Sequence, residues 1–276
     1  MLSDVRLRVV PIDSVHPHEI ADPARERRIE RRIREDGILR DPLLVGSVPD
    51  VDGYVLLDGT NRLRALRALR VSAAMVQELD YADPRAVELR TWCHAAALPI
   101  EEIVERTREF EELAVTPLPP LAAPDALTTP ETLALLLRGK KRYRVALKEV
   151  GDEGRARVLR PFVDIYEDRM ARVDCDVDSL EERGHDARGP NGEPATLVAF
   201  PAFTRAQVVA MAMDAAPIPA GITRHIVLRG RALRVNLPLE LLGAEEGVEN
   251  ANRSLHAHLG TLQPRVYGEP TILFDS

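Results

Sequence analysis

Aromatic residues, cysteines and long apolar runs are all scarce in this chain. Phe, Tyr and Trp make up 4% of its 276 residues, too few for base stacking to be the main activity of a nucleic-acid binder. Its two cysteines, Cys93 and Cys175, make neither a metal cluster nor a disulfide framework, and they read as reduced thiols of a cytoplasmic protein. No apolar stretch approaches the roughly 20 residues that span a bilayer, and the N-terminus lacks an apolar signal core. No membrane partner is therefore expected. Positive charge is also in deficit: the formal net charge of -7 argues against a broad basic footprint for DNA or RNA and leaves only a local patch. What is present is ordinary for a globular protein. Hydrophobic residues make up 45% of the chain, and the length suits one large or two modest domains with a real core.

The most informative stretch is Val55-Leu56-Leu57-Asp58-Gly59-Thr60-Asn61-Arg62. A brief apolar run, a turn signal at Asp58-Gly59 and then Leu63, Leu66 and Leu69 on one face spell strand, tight turn, helix. The turn then lies at a helix N-terminus, where unpaired N–H groups and the helix dipole favour an anion. Gly59 lets the backbone approach a ligand, Thr60 and Asn61 add polar groups, and Arg62 adds a phosphate-matching fork. Asp58 would repel a phosphate unless a cation such as Mg²⁺ lies between them. The competing reading is an ordinary strand-turn-helix in which Asp58 caps the helix.

Around this stretch the chain reads as a succession of short elements. Arg6–Ile12 is a first strand. His16, His18 and Glu19 follow in a Pro-broken loop, a weak arrangement for a metal. Pro23–Asp36 is a charged helix stopped by Gly37, its six arginines interleaved with Glu26, Glu30 and Glu35 into a salt-bridged face. Leu43–Val45 and Met75–Leu79 are strands. Trp92, the only tryptophan, is either core or a pocket wall. A helix is expected over Pro99–Ala114, then a Pro-rich break from Thr116 to Pro124. Thr129 is expected to cap a second helix with Pro130 at its first position and Gly139 as its stop. Tyr143–Leu147 and Leu197–Phe200 read as strands, Arg155–Arg172 as a helix interrupted at Pro161, Gly184–Pro194 as a mobile loop and Arg205–Asp214 as a helix capped by Thr204. Thr223, Arg224 and His225 are three polar donors in a row on a strand. They suit a grip on a small carboxylate, or they are simply a solvent-facing edge.

The run of Pro11-Ile12, Pro17-His18-Glu19, Gly37, Asp41-Pro42-Leu43-Leu44-Val45 and Leu57 to Arg62 resembles the ParB/sulfiredoxin superfamily. Within it, His18-Glu19, Glu88-Leu89-Arg90-Thr91-Trp92, Phe200-Pro201, Thr223-Arg224-His225 and Arg231 to Asn236 resemble the free-serine kinases of archaeal cysteine biosynthesis and of a bacterial siderophore pathway. The resemblance is weakest between residues 116 and 195. It implies an α/β (α+β) architecture: a ParB/sulfiredoxin-like nucleotide-binding domain over residues 1–98 and a second α/β, substrate-binding domain over residues 99–276 that forms a cleft with it. The implied reaction moves a phosphoryl group from ATP or ADP to the hydroxyl of free L-serine, giving O-phospho-L-serine. Carried over by position, Glu19 is the general base and Asp58 supports Mg²⁺ or the reacting hydroxyl. Gly59, Thr60, Asn61 and Arg62 cradle phosphates, and Trp92, Thr223, Arg224 and His225 hold serine. Archaeal members often have His-His where this chain has Thr60-Asn61, so phosphate contacts here are expected from the backbone and Arg62 rather than from those two side chains.

The rival reading is a ParB-like, nucleotide-dependent DNA-binding transcriptional regulator. It calls for a basic helix-turn-helix and a dimerisation tail, and no convincing recognition helix is found. A sulfiredoxin-like reductase requires a cysteine in the turn, which Gly59-Thr60-Asn61-Arg62 lacks. A nuclease follows only by superfamily analogy.

Overall fold

The computed structural model describes residues 5–149, 151–174, 176–243, 247–267 and 271–275. The chain forms two compact units. One comprises Met1–Glu88, Val208–Ala220 and His225–Ser276, the other Leu89–Gln207 and Gly221–Arg224. This differs from a linear division after residue 98, because the chain returns to its first unit after residue 207.

In the first unit, β1 (Arg6–Pro11), β2 (Val15–Pro17), β4 (Leu43–Ser47), β5 (Tyr54–Asp58) and β6 (Ala73–Asp80) form one mixed sheet in the order β1-β6-β4-β5-β2, while β3 (Ile38–Leu39) lies outside it. β2 runs parallel to β5 with Pro17 opposite Leu56. Helix α1 (Pro23–Asp36) has the boundaries its sequence dictates. Asp22 accepts from the N–H groups of Ala24 and Arg25 at 2.8 and 3.1 Å, Pro23 opens the first turn, and Gly37 closes it in the left-handed conformation at φ 65°. Helix α2 (Thr60–Ala68) follows β5 directly. Its Leu63, Ala65 and Leu66 are fully buried among Val9, Leu43, Val45, Leu56, Met75 and Val76 of the sheet, and each leucine contributes roughly 1.5–3 kcal/mol by leaving water.

The second unit carries β7 (Val87–Thr91) onward. Its six-stranded antiparallel sheet is built from β8 (Cys93–Ala96), β9 (Leu113–Pro117), β10 (Thr132–Arg138), β11 (Lys141–Leu147), β12 (Met170–Val173) and β13 (Thr196–Ala199), in the order β12-β8-β13-β10-β11-β9. Helices α3 (Ile100–Thr107), α4 (Ala123–Leu127), α5 (Asp152–Asp164) and α6 (Leu180–Asp186) connect them, and α7 (Arg205–Met213) follows, counted with the first unit from Val208 onward. Three expectations are corrected here. The segment after Pro130 is strand β10, not a helix. Leu133 to Leu137 are all buried, and Gly139 (φ 57°) sits in the two-residue turn of a hairpin that pairs Arg138 with Lys141. A short apolar run of this kind has no period that separates helix from strand. The helix expected to reach Ala114 ends at Thr107, and Leu113–Pro117 pairs with β11 instead. Finally, Cys93 is disulfide-bonded rather than a reduced thiol. Cys175 lies outside the described residues. Strand pairing places Val173 opposite Cys93, a neighbourhood that cysteine spacing along the chain does not reveal.

Back in the first unit, β14 (Thr223–Val227), β15 (Arg231–Leu233), β16 (Leu237–Pro238), α8 (Gly247–Thr261), β17 (Gln263–Tyr267) and β18 (Thr271–Asp275) complete the chain; the first two residues of β14 are counted with the second unit. α8 packs on β1. The Asn252 side chain accepts from the Val9 N–H at 2.9 Å and donates to the Val9 carbonyl at 2.7 Å. No helix of the described residues is long and apolar enough to cross a membrane. Replacing Asn252 by Leu strands both Val9 groups, and the unfolding free energy in a urea titration should fall by about 1–3 kcal/mol. An unchanged midpoint would mean that water takes over both bonds.

Candidate functional site

Two groups of residues singled out by the sequence are assembled, one in each unit. In the first unit the centre is the turn between β5 and α2. Gly59 occupies the N-cap position at φ 108° and no side chain caps the helix, so the reading of Asp58 as N-cap is not what the structure has. A Cβ on Gly59 would come within 2.8 Å of Leu43 Cδ2 and 3.0 Å of Arg62 Nη2. Glycine is therefore required twice, by its φ and by the guanidinium packed beneath it.

The Asp58 carboxylate turns toward two arginines instead. Its Oδ2 accepts from Arg62 Nη2 at 2.8 Å and also from Arg231 Nη2. Burial pushes the Asp58 carboxyl up, but the charges of Arg62 and Arg231 outweigh it and hold the group below the usual carboxylate range. Burial also lowers the Arg62 guanidinium, against the charge of Asp58. Arg62 Nη1 donates to the Asp41 and Pro42 carbonyls at 3.3 and 3.0 Å. The Asn61 side chain accepts from the Asp22 N–H at 2.8 Å and so ties α2 to the start of α1. The side chains of Asn61 and Arg62 thus brace the turn, and the first-turn N–H groups of α2 are left without a side-chain cap.

His18 and Glu19 belong to the same unit. Parallel pairing of β2 with β5 ends at Pro17 and Leu56. Two residues further along the chain are Glu19, beyond the end of β2, and Asp58, the last residue of β5. His18 is 2% exposed, and its Nδ1 lies 2.8 Å from the Leu56 carbonyl, which fixes a proton on that nitrogen. Burial lowers the His18 pKa against the pull of the Glu19 charge. Glu19 itself forms a bridge to Ile218, with the Ile20 N–H donating to the Ile218 carbonyl at 2.8 Å. The His225 ring sits edge-on to His18 at 5.4 Å, and its Nε2 lies 2.9 Å from the Tyr81 hydroxyl. Among the described residues, no group of three or more His, Cys, Asp or Glu side chains could hold a metal ion.

In the second unit, Trp92 and Arg224 are brought together. The Arg224 guanidinium lies over the Trp92 ring at 4.3 Å and pairs with Asp174. Thr223 is buried beside them in sequence. The Trp92 N–H donates to the Ile222 carbonyl at 2.9 Å, which fixes the two segments to each other. One further residue supports this arrangement and was not singled out by sequence reading. His94 is fully buried, donates from Nε2 to the Gly221 carbonyl at 2.9 Å and packs edge-on to Tyr166 and Phe200. Gly221 has φ 79° and carries the Arg172 side chain against it, so no other residue fits there. His94 therefore anchors the turn from which Thr223 and Arg224 emerge.

The chain has the mixed α/β fold of solved serine-kinase structures. It superposes on C-terminally truncated SbnI from Staphylococcus aureus with a TM-score of 0.70, at 21% identity and over 92% of this chain and 95% of that one. It superposes on a free serine kinase in complex with AMP with a TM-score of 0.68, at 23% identity and over 87% and 94% of the two chains. Among curated proteins, it is 24% identical over 243 residues to the ATP-dependent L-serine kinase SbnI of Staphylococcus aureus, 88% of this chain and 86% of that protein. It is 29% identical over 101 residues to the ATP-dependent L-serine kinase of Staphylothermus marinus. It is 32% identical over 101 residues to the ADP-dependent L-serine kinase SerK of Thermococcus kodakarensis. The chain spans 40% and 41% of those two archaeal relatives. No family model matches it. The chain thus resembles serine kinases of both the archaeal and the staphylococcal kind.

Burial holds His94 at a pKa of about 4, below its ordinary 6.5, despite its bond to the Gly221 carbonyl. The unfolded chain takes up this proton below pH 6.5 and the folded chain only near 4, so stability should fall as the pH drops through that window. The loss is about 1.4 kcal/mol per pH unit, about 3 kcal/mol in all. Urea titrations between pH 7 and 4 should show this slope, and His94→Gln should flatten it. An equal slope in the variant would assign it to other groups.

Proposed function

We propose that this chain is a nucleotide-dependent free L-serine kinase that moves the terminal phosphoryl group of ATP or ADP to the serine hydroxyl, releasing O-phospho-L-serine. The observation that supports this reading is the parallel pairing of β2 with β5, which ends at Pro17 and Leu56, two residues before Glu19 and Asp58, together with the uncapped first turn of α2. A carboxylate next to an anion-binding bend is what transfer to an alcohol needs. Glu19 accepts the proton of the serine hydroxyl as its oxygen bonds to the terminal phosphorus and the bond to the bridging oxygen breaks. The N–H groups at Gly59, Thr60, Asn61 and Arg62 hold phosphate oxygens. Both arginines approach Asp58 on Oδ2, and its Oδ1 takes no hydrogen bond among the described residues. Asp58 would hold Mg²⁺ through Oδ1 alone, and the ion would neutralise phosphate charge.

Trp92, Thr223, Arg224 and His225 hold L-serine. Arg224 presents its fork to the carboxylate while Trp92 supports its face, and His225 is oriented by Tyr81. We place the protein in the cytoplasm, where both substrates are found. The DNA-binding reading is not favoured. Two of the six arginines of α1 pair with carboxylates, Arg34 with Glu30 at 2.5 Å and Arg32 with Asp36 at 3.6 Å, and Arg64 of α2 reaches Glu26 at 3.7 Å.

Incubation with L-serine, Mg²⁺ and either nucleotide should yield phosphoserine by mass spectrometry, and no product with ATP or ADP would refute the assignment. Glu19→Gln should lower turnover by roughly 10²–10⁴-fold while nucleotide affinity is kept. Unchanged turnover would remove Glu19 from the role. Arg224→Ala should raise the KM for serine by about tenfold or more. A change confined to nucleotide affinity would sink the serine-grip assignment.

A further inference from the structure

We infer that the guanidinium that meets the nucleotide phosphates in this site is Arg231, and that Arg62, the arginine inside the turn motif, is its buried brace. The inference rests on the nucleotide-binding reading above. Arg62 is spent: Nη1 serves the Asp41 and Pro42 carbonyls, Nη2 serves Asp58, and its side chain is only 16% exposed. Arg231 has a single partner among the described residues, Asp58, and its side chain is 34% exposed. It therefore keeps donors for a ligand while one N–H fixes its position.

The backbone that delivers Arg231 is held with unusual care. Gln77, a polar side chain only 1% exposed in the middle of the sheet, donates to the Gly230 carbonyl at 2.8 Å and accepts from the Ala232 N–H at 2.9 Å. The two bonds straddle Arg231. Strand register puts Gln77 on the same row as Leu44 and Asp58, so the clamp and the carboxylate share one line across the sheet. A buried amide satisfied on both ends is costly to misplace and specifies one arrangement. Beyond Arg231 the chain passes through two residues at positive φ, Arg234 at 56° and Asn236 at 54°. The Arg234 N–H donates to Asp41 at 2.8 Å, and the Asn236 N–H donates to the Arg40 carbonyl at 3.0 Å. Such strain persists only where surrounding bonds over-determine it.

Charge completes the argument. Arg25 and Asp41 also act on Arg62. Arg25, Arg62 and Arg231 all act on Asp58, so three guanidiniums crowd one carboxylate at the start of α2. A phosphate eases their mutual repulsion, and its oxygens match the geometry of the Arg231 fork.

The test is calorimetric binding of ADP and of adenosine to the full chain, with and without Mg²⁺, for the wild type, Arg231→Gln and Arg231→Lys. A phosphate contact predicts that Arg231→Gln weakens ADP by at least about tenfold, leaves adenosine within about twofold, and that Arg231→Lys recovers part of the loss. Equal weakening of both ligands would show a merely structural role for Arg231 and overturn the inference, as would unchanged ADP affinity. Gln77→Met, which frees the Arg231 backbone, should shift ADP affinity in the same direction as Arg231→Gln and spare adenosine; an unshifted value would remove the clamp from the account. If the wild type binds ADP but makes no phosphoserine, the kinase reading fails while the ADP-to-adenosine ratio still judges Arg231. If it makes phosphoserine and the ratio does not move in Arg231→Gln, only the Arg231 assignment fails.

Discussion

The first unit is organised around one carboxylate held between two guanidiniums. Asp58 ends β5, Arg62 lies in the first turn of α2, and Arg231 opens β15, a strand from the far end of the chain. Each member is partly withdrawn from water, where a lone charge is expensive, so the three are tolerable only together. This explains why Asp58 is not the helix cap. Both guanidiniums hold its Oδ2, and no side chain caps the helix start. That bare start is where the proposed phosphate site lies.

The second unit solves a different problem. A planar cation must be kept in one orientation without being neutralised beyond use. Arg224 is supported on one face by Trp92 and paired with Asp174, and the loop that carries it is tied down by a buried, neutral histidine. Burial disfavours the charged form of the His94 imidazole, and its bond to the Gly221 carbonyl ties β8 to that turn. Its role is visible only once β8 and Gly221 are seen side by side.

Local chemistry made parts of this legible in advance. Helix α1 is bounded by Asp22, Pro23 and Gly37 within one short stretch, and the β5–turn–α2 unit by Asp58-Gly59 between two apolar patterns. Local signals read correctly at α1, but the equally local Thr129, Pro130 and Gly139 led to a helix where the chain forms β10. The strand β10 was misread because Leu133 to Leu137 are covered on both faces, which erases the alternation that identifies a strand. The partners of the site were hidden for another reason. Arg231 and Asp58 are 173 residues apart, and Gln77 and Gly230 are 153 apart. No spacing rule connects positions that meet only through sheet order. The same holds for Cys93, whose neighbour strand β12 enters the sheet from far along the chain.

The grip of Asn252 on Val9 has a consequence for the protein's behaviour in a crowded solution. β1 is the outermost strand of its sheet, and an open outer strand offers its amide groups to any passing extended peptide. By occupying both the N–H and the carbonyl of Val9, Asn252 plays the part of one residue of an extra strand. A foreign chain can no longer zip along that margin without first evicting a helix, so this edge of the sheet is guarded against self-association by a single amide.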